Sequence, residues 1–339
     1  MTKKRFLVGL LAIALIFGMT VLGCEEEEPE PEDDRPMGPE WTMVSPSPFA
    51  RETSDIAFGN GKFIAVGSHD IGSSASRVAS STDGVNWSLI ENTPAGFVPQ
   101  AIAYGNDRWV TNNGYSTDGT SWTLVDWTGV LDYSKIVYGN QKFVAIGSQN
   151  KIACSTDGTS WTELQNLPFS GNSESIYGIA FGGGKFVAVG GSNSAGKIAT
   201  STDGETWTTV SPTVFNSGNF KSINCIAYGG GKFVASNSKA TAYSSDGTNW
   251  TPIIREKENG TTYSAFFLED FSCLAYGNGK WIGLKGTSMM GYSSDGITWT
   301  PALNPPNITF PGGAIYGNGK FVAYSRSSSA GAQMAYSNQ

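Results

Sequence analysis

One histidine, His69, and four cysteines with no CxxC pair are all that this 339-residue chain offers to soft metals or thiol chemistry. A lone imidazole cannot nucleate a zinc site with cysteines so scattered, and no DxDxDG run supplies a calcium loop, so no metal site and no cofactor is expected. Charge is scarce as well. Only 15% of residues are Asp, Glu, Lys or Arg, and after Cys24 no stretch sustains the 3.6-residue apolar period of an amphipathic helix. Both absences argue against helices. Abundant Gly, Ser, Thr and Asn with 12% aromatic residues suit many short strands joined by tight turns, so the chain after Cys24 reads as all-β.

The formal charge of -7 mixes segments with different roles. Lys3, Lys4 and Arg5 open the chain, residues 25–34 carry eight acidic side chains and no basic ones, and from Arg35 onward 19 Lys plus Arg face 21 Asp plus Glu. A body so nearly neutral lacks the basic footprint that phosphate backbones require, and nucleic acid is not expected as a partner.

The basic start is followed by an apolar run from Phe6 to Val21, the layout of a signal peptide and short for a membrane-spanning helix. The run ends in Val21, Leu22, Gly23 and Cys24, which resembles a bacterial lipobox, cut before a cysteine that carries lipid. Residues 1–23 are then removed and Cys24 anchors the protein in a membrane of the cell envelope or surface. Residues 24–37 comprise the lipidated Cys and an acidic, Pro-interrupted stretch that repels itself and reads as a tether.

Self-similarity dominates residues 38–339. One half of the unit appears seven times, as in IAFGNGKFIAVG (56–67), IVYGNQKFVAIG (136–147) and AIYGNGKFVAYS (314–325). It reads as a hairpin whose two-residue turn needs positive φ at both positions. Asn60-Gly61 meets that need, whereas Asn106-Asp107 and Asn140-Gln141 suggest looser turns. The other half, SxDGxxW, appears six times, with Asp83, Asp118, Asp157, Asp203, Asp246 and Asp295 at its centre. Here the Ser hydroxyl and Asp carboxylate suit the turn's backbone NH groups, so these Asp read as structural.

The seventh copy is split. The chain ends at Ser337-Asn338-Gln339 where the motif should continue, and Gly38-Pro39-Glu40-Trp41-Thr42 matches its second half. These features predict a seven-bladed β-propeller with four-stranded blades, the last blade closed by the N-terminal strand, which hides edges that invite aggregation. The chain is expected to be a monomer.

At the boxes the chain resembles the Asp-box (BNR-repeat) propellers, a superfamily that includes sialidases, some endoglucanases, sortilin-type receptors and photosystem assembly factors. This version, SxDGxxW, is one residue tighter than the usual SxDxGxTW. For a sialidase the resemblance implies an arginine triad, a Tyr–Glu pair and an Asp acid. The RIP motif is absent, however, and Arg51, Arg255 and Arg326 are the arginines that neither the repeat nor the N-terminal segment accounts for. Loop carboxylates such as Glu52, Asp70, Asp126, Glu174 and Asp270 exist, but no catalytic set is assigned.

Binding is expected at the ring mouth, opposite the hairpin turns. One rim should bring Arg51, Glu52, His69, Asp70 and Arg326 together where the seventh and first blades meet, a cluster suited to a carboxylate or sulfate. Trp127 is the one tryptophan outside the repeat and joins the binding candidates. Phe97, Phe169, Phe215, Tyr263 and Phe310 offer stacking platforms for sugars. However, Phe49, Phe97, Phe169, Phe215, Phe266 and Phe310 recur once per blade, as anchoring plugs do, and packing is the favoured role. Cys225 and Cys273 share one slot in adjacent units, leaving buried thiols or a disulfide open. The functional reading is a lipoprotein presenting a rigid propeller to a protein or glycan ligand; the alternative is a carbohydrate-active hydrolase.

Overall fold

The computed structural model describes residues 38–68, 77–125, 133–165, 167–169, 174–216, 221–253, 270–326 and 333–338. The chain divides into two compact units, 1–36 and 37–339, and the description concerns the second. No described helix is long and apolar enough to cross a membrane.

Seven four-stranded antiparallel sheets make up this unit. Blade 1 runs through Glu52–Gly59, Lys62–Ser68, Arg77–Ser81 and Ser88–Ile90. Blades 2 to 6 repeat it, with inner strands Ile102–Gly105, Tyr133–Gly139, Ser175–Gly182, Ile223–Gly229 and Cys273–Gly277. Blade 7 has Pro311–Gly317, Lys320–Ser325 and Met334–Ser337 from the end of the chain and Trp41–Met43 from its beginning. Trp41 pairs with Ser337, Thr42 with Tyr336 and Met43 with Ala335. The split blade is therefore real, and it leaves no unpaired edge on the last C-terminal strand.

The repeated aromatic-Gly pair explains how neighbouring blades approach. Inner strands of successive blades touch all the way round, including that of blade 7 against that of blade 1. At each junction a glycine lies under an aromatic ring of the next blade. A Cβ on Gly59 would fall 2.1 Å from Tyr104, and one on Gly317 would fall 2.3 Å from Phe58, where the ring closes. Only glycine permits that approach. The same aromatic meets its own blade's hairpin ring, as in Phe58–Phe63 at 4.7 Å and Tyr104–Trp109 at 4.8 Å, adding about 0.5–1.5 kcal/mol per pair beyond burial.

All seven inner hairpins turn with positive φ at both central residues. Asn106 and Asp107 stand at 48° and 54°, and Asn140 and Gln141 at 44° and 60°, so these two turns are as tight as Asn60-Gly61 at 43° and 71°. The looser geometry expected of them is not found. For Asn140 the reason is visible, because its Nδ2 donates to Gly184 O at 2.9 Å and Thr202 O at 2.8 Å in blade 4. Asn318 does the same across the closure, to Gly61 O and Thr82 O. The cation two positions on also reaches forward: Lys62 Nζ donates to Asp118 O, Arg108 to Asp157 O, Lys185 to Asp246 O and Lys232 to Asp295 O.

In the second hairpin of blade 1, Ser81 Oγ accepts from Gly84 N and donates to Asp83, whose Oδ1 accepts from Val85 N and Asn86 N at 2.8 Å each. Asp118, Asp157, Asp203, Asp246 and Asp295 each take two backbone NH groups in the same way. These carboxylates sit at the turn end of the blades, away from the mouth.

A buried apolar residue plugs the entry to most blades. Phe49, Phe97, Phe169 and Phe215 hold that position, each 2% exposed or less. Blade 6 uses Phe271 in place of the expected Phe266, which lies outside the described residues. Blade 7 uses Ile308 in place of Phe310, which is exposed.

Candidate functional site

At the mouth, five inner strands slip register by one residue: between Thr53 and Asp55, Tyr133 and Lys135, Ile176 and Gly178, Ile223 and Cys225, and Pro311 and Gly313. Such a bulge re-aims the residues beside it. The position after the slip, with its repeat equivalents in blades 2 and 6, is held by small or apolar residues in five blades, Ala101, Gly178, Cys225, Cys273 and Gly313, and by Asp55 and Lys135 in blades 1 and 3.

Those two charges meet. Lys135 Nζ lies 2.7 Å from Asp55 Oδ1, and the same oxygen accepts from Tyr324 OH at 2.8 Å. The other carboxylate oxygen accepts from Ile102 N at 3.1 Å. Asp55 is 2% exposed, whereas the Lys135 side chain keeps about a third of its surface, 34%. Burial works against the lysine's charge, but the Asp55 carboxylate more than offsets it and holds Lys135 above its ordinary value. Burial, and then Asp55, push the Tyr324 phenol up. Lys135 is therefore a fixed cation, not a nucleophilic amine. Tyr324 reaches Asp55 by crossing Gly313, where a Cβ would fall 2.4 Å from its hydroxyl.

Burial makes the described cysteines inert as well. Cys154, Cys225 and Cys273 are free thiols, and Cys225 Sγ donates to Phe271 O at 3.0 Å. Burial pushes Cys225 well above the usual thiol value and Cys273 up to about 12. Among the described residues no cluster of three His, Cys, Asp or Glu could hold a metal.

Over the network lies a cavity of about 330 Å³ between blades 1, 2, 3 and 7. Blade 7 contributes Arg326, whose Nε donates to Ser54 O at 3.0 Å and whose NH2 group donates to Ser134 O at 3.4 Å. Both acceptors are the extra residues of the bulges in blades 1 and 3. Glu52 and Gln100 also line the cavity, with Val98 and Pro99 as its apolar side. The blade 2 loop is held by the Thr-Asn-Asn run that replaces the usual small apolar residues there: Asn112 Oδ1 accepts from Gln100 N at 2.6 Å, and Asn113 Nδ2 donates to Gly96 O at 3.0 Å.

Glu52 and Arg326 are thus brought together. Arg51, next to Glu52, is half-buried and does not line the cavity. His69, Asp70, Trp127 and Cys24 lie outside the described residues. Asp55, Lys135 and Tyr324 were not among the sequence candidates, although two of them carried a signal: a charge in a slot that the repeat otherwise gives to small or apolar residues.

No protein-family model matches the sequence, and no curated protein does. Solved structures do match. "YCF48 bound to D1 peptide" superposes with a TM-score of 0.62 at 16% identity, covering 88% of this chain and 97% of that one. "Streptogramin B lyase structure" gives 0.63 at 12% identity, covering 88% and 97%. The extracellular domain of the putative one-component system BT4673 from B. thetaiotaomicron gives 0.61 at 9% identity, covering 88% of this chain and 40% of that one. At such identities the likeness shows the propeller fold alone.

Proposed function

We propose that this chain is a lipid-anchored binding module of the cell envelope or surface, holding a protein or glycan ligand at the propeller mouth. The observation that carries the reading is the cavity between four blades, with Arg326 clamped across it and Glu52 on its wall. Bulges and cross-blade hydrogen bonds hold these groups before any ligand arrives, so little ordering cost remains at binding. The fold is neutral on activity, since the similar structures include a peptide-bound protein and a lyase. Among the described residues Glu52 is the carboxylate on the cavity wall. Anchoring through Cys24 is part of the proposal and rests on the order of basic start, apolar run and lipobox.

The experiment is capture of ligands from envelope extracts by the full-length protein and by Arg326→Gln. The parent should retain a partner that the variant loses while the variant still folds, as its circular dichroism spectrum would show. Equal capture by both proteins would place the ligand elsewhere. Mass spectrometry of the mature N-terminus should find an acylated Cys24; an unmodified cysteine there would refute the anchor.

A further inference from the structure

The mouth has an aromatic residue that folding does not account for. Blade 7 plugs its entry with Ile308, 1% exposed, and Phe310 two residues later is 65% exposed, the most exposed large apolar side chain among the described residues. Its backbone stands at φ 51°, the left-handed region, where a bulky side chain is strained. An exposed phenyl ring recovers almost no burial against that strain. Strain kept at a residue that the core does not use points to a role at the surface.

The surroundings of Phe310 say what the role is. Its carbonyl accepts from the backbone NH of Arg326 at 3.4 Å, so its backbone is tied to that of the residue whose side chain lines the cavity. Gly312 keeps the two compatible, because a Cβ there would fall 2.5 Å from Arg326 Cγ. Two of the guanidinium's five N–H groups go to Ser54 O and Ser134 O. Among the described residues the others meet no acceptor. Across the cavity, Glu52, Gln100 and the two serines offer acceptors and donors suited to hydroxyl groups.

We propose that Phe310 and Arg326 form a subsite for an acidic sugar unit of an oligosaccharide or polysaccharide. The C–H face of the pyranose lies on the electron-rich face of Phe310, the sugar's carboxylate or sulfate pairs with Arg326, and its hydroxyls meet Glu52 and Gln100. A cavity of about 330 Å³ suits one small unit, and the rest of the glycan runs out over the rim. Among the described residues the wall's apolar part is Val98 and Pro99 and the rest is polar, charged or glycine, a lining that suits a hydroxylated sugar. This inference rests on the binding reading above and adds the ligand's chemistry.

The test is isothermal titration of the full-length protein with a panel of uronate and sulfated oligosaccharides, including trigalacturonate and its fully methyl-esterified form as a matched charged and neutral pair. At least one acidic oligosaccharide should bind, and its uncharged counterpart should bind at least tenfold more weakly. Phe310→Ala and Arg326→Gln should each weaken binding tenfold or more, while Phe310→Trp retains it. Because Phe310 is exposed, its variants should melt like the parent, so a loss of affinity reports the subsite and not the fold. Absence of binding to every acidic member, equal binding of charged and neutral partners, or an unchanged affinity for Phe310→Ala overturns the proposal. If Arg326→Gln still loses a partner from envelope extracts while no acidic sugar binds, the binding module stands and this inference falls.

Discussion

Tyr324 of blade 7 donates its hydroxyl to Asp55 of blade 1 at 2.8 Å, passing over Gly313 to do so. With Lys135 on the same carboxylate oxygen, one buried Asp ties together blades 1, 3 and 7 under the mouth cavity.

Removing the phenol oxygen should therefore loosen the ring. Tyr324→Phe deletes one hydrogen bond to a charged group, worth about 1.5–3 kcal/mol. Asp55→Ala leaves Lys135 without its counter-ion; because about a third of that side chain is open, 34%, the loss should fall below the ~3–5 kcal/mol of a fully buried pair. Urea unfolding measures both, and a Tyr324→Phe midpoint equal to the parent's would show that the phenol braces nothing.

Closure by the N-terminal strand makes a second prediction. Deleting residues 35–44 removes the partner of Met334–Ser337 and exposes a strand edge, so the variant should melt lower and aggregate. Trp41 is half-buried, and its indole NH has no hydrogen-bond partner among the described residues, so Trp41→Ala should cost about 2 kcal/mol, less than a fully buried aromatic. Deletion of 25–34 should leave the melting temperature unchanged. Thermal unfolding of the three variants decides, and a 35–44 deletion that melts like the parent contradicts the closure.

Acid should weaken the protein through its second hairpins. The backbone NH of Ser121 lowers Asp118, that of Thr206 lowers Asp203 to about 2, and that of Asn249 lowers Asp246. A carboxylate depressed on folding stabilises fully above its unfolded value of 3.8, and that contribution is lost as pH falls through the folded value. The denaturation midpoint should therefore drop between about pH 4 and pH 2, and drop less in the triple variant Asp118→Asn, Asp203→Asn, Asp246→Asn. Equal slopes for parent and variant would mean that these carboxylates do not carry the acid response.

The sequence alone determined the blade count, the four-stranded unit and the closure by Trp41, because each depends on local pattern repeated along the chain. Turn chemistry, strand alternation and the aromatic-Gly pair act within a few residues, and seven copies make the pattern unmistakable. Even so, the turns at Asn106-Asp107 and Asn140-Gln141 read as looser than they are. The reason for Asn140 lies outside its hairpin, in carbonyls of the next blade.

The site was decided by tertiary structure. Asp55, Lys135 and Tyr324 are remote in sequence, and each points at the others only because a one-residue slip re-aims the inner strands and the ring brings blade 7 beside blade 1. Glu52 and Arg326 could be assigned to one rim from topology, but the cavity between them depends on bulge carbonyls and on the Asn112–Asn113 clamp. Phe310 marks the same limit. From sequence it is the last of six phenylalanines read as a once-per-blade plug; in the folded ring Ile308 fills that place, and Phe310 stands exposed at a positive φ. Which of two apolar residues is buried depends on how the neighbouring blade packs, and that is fixed only when the ring has closed.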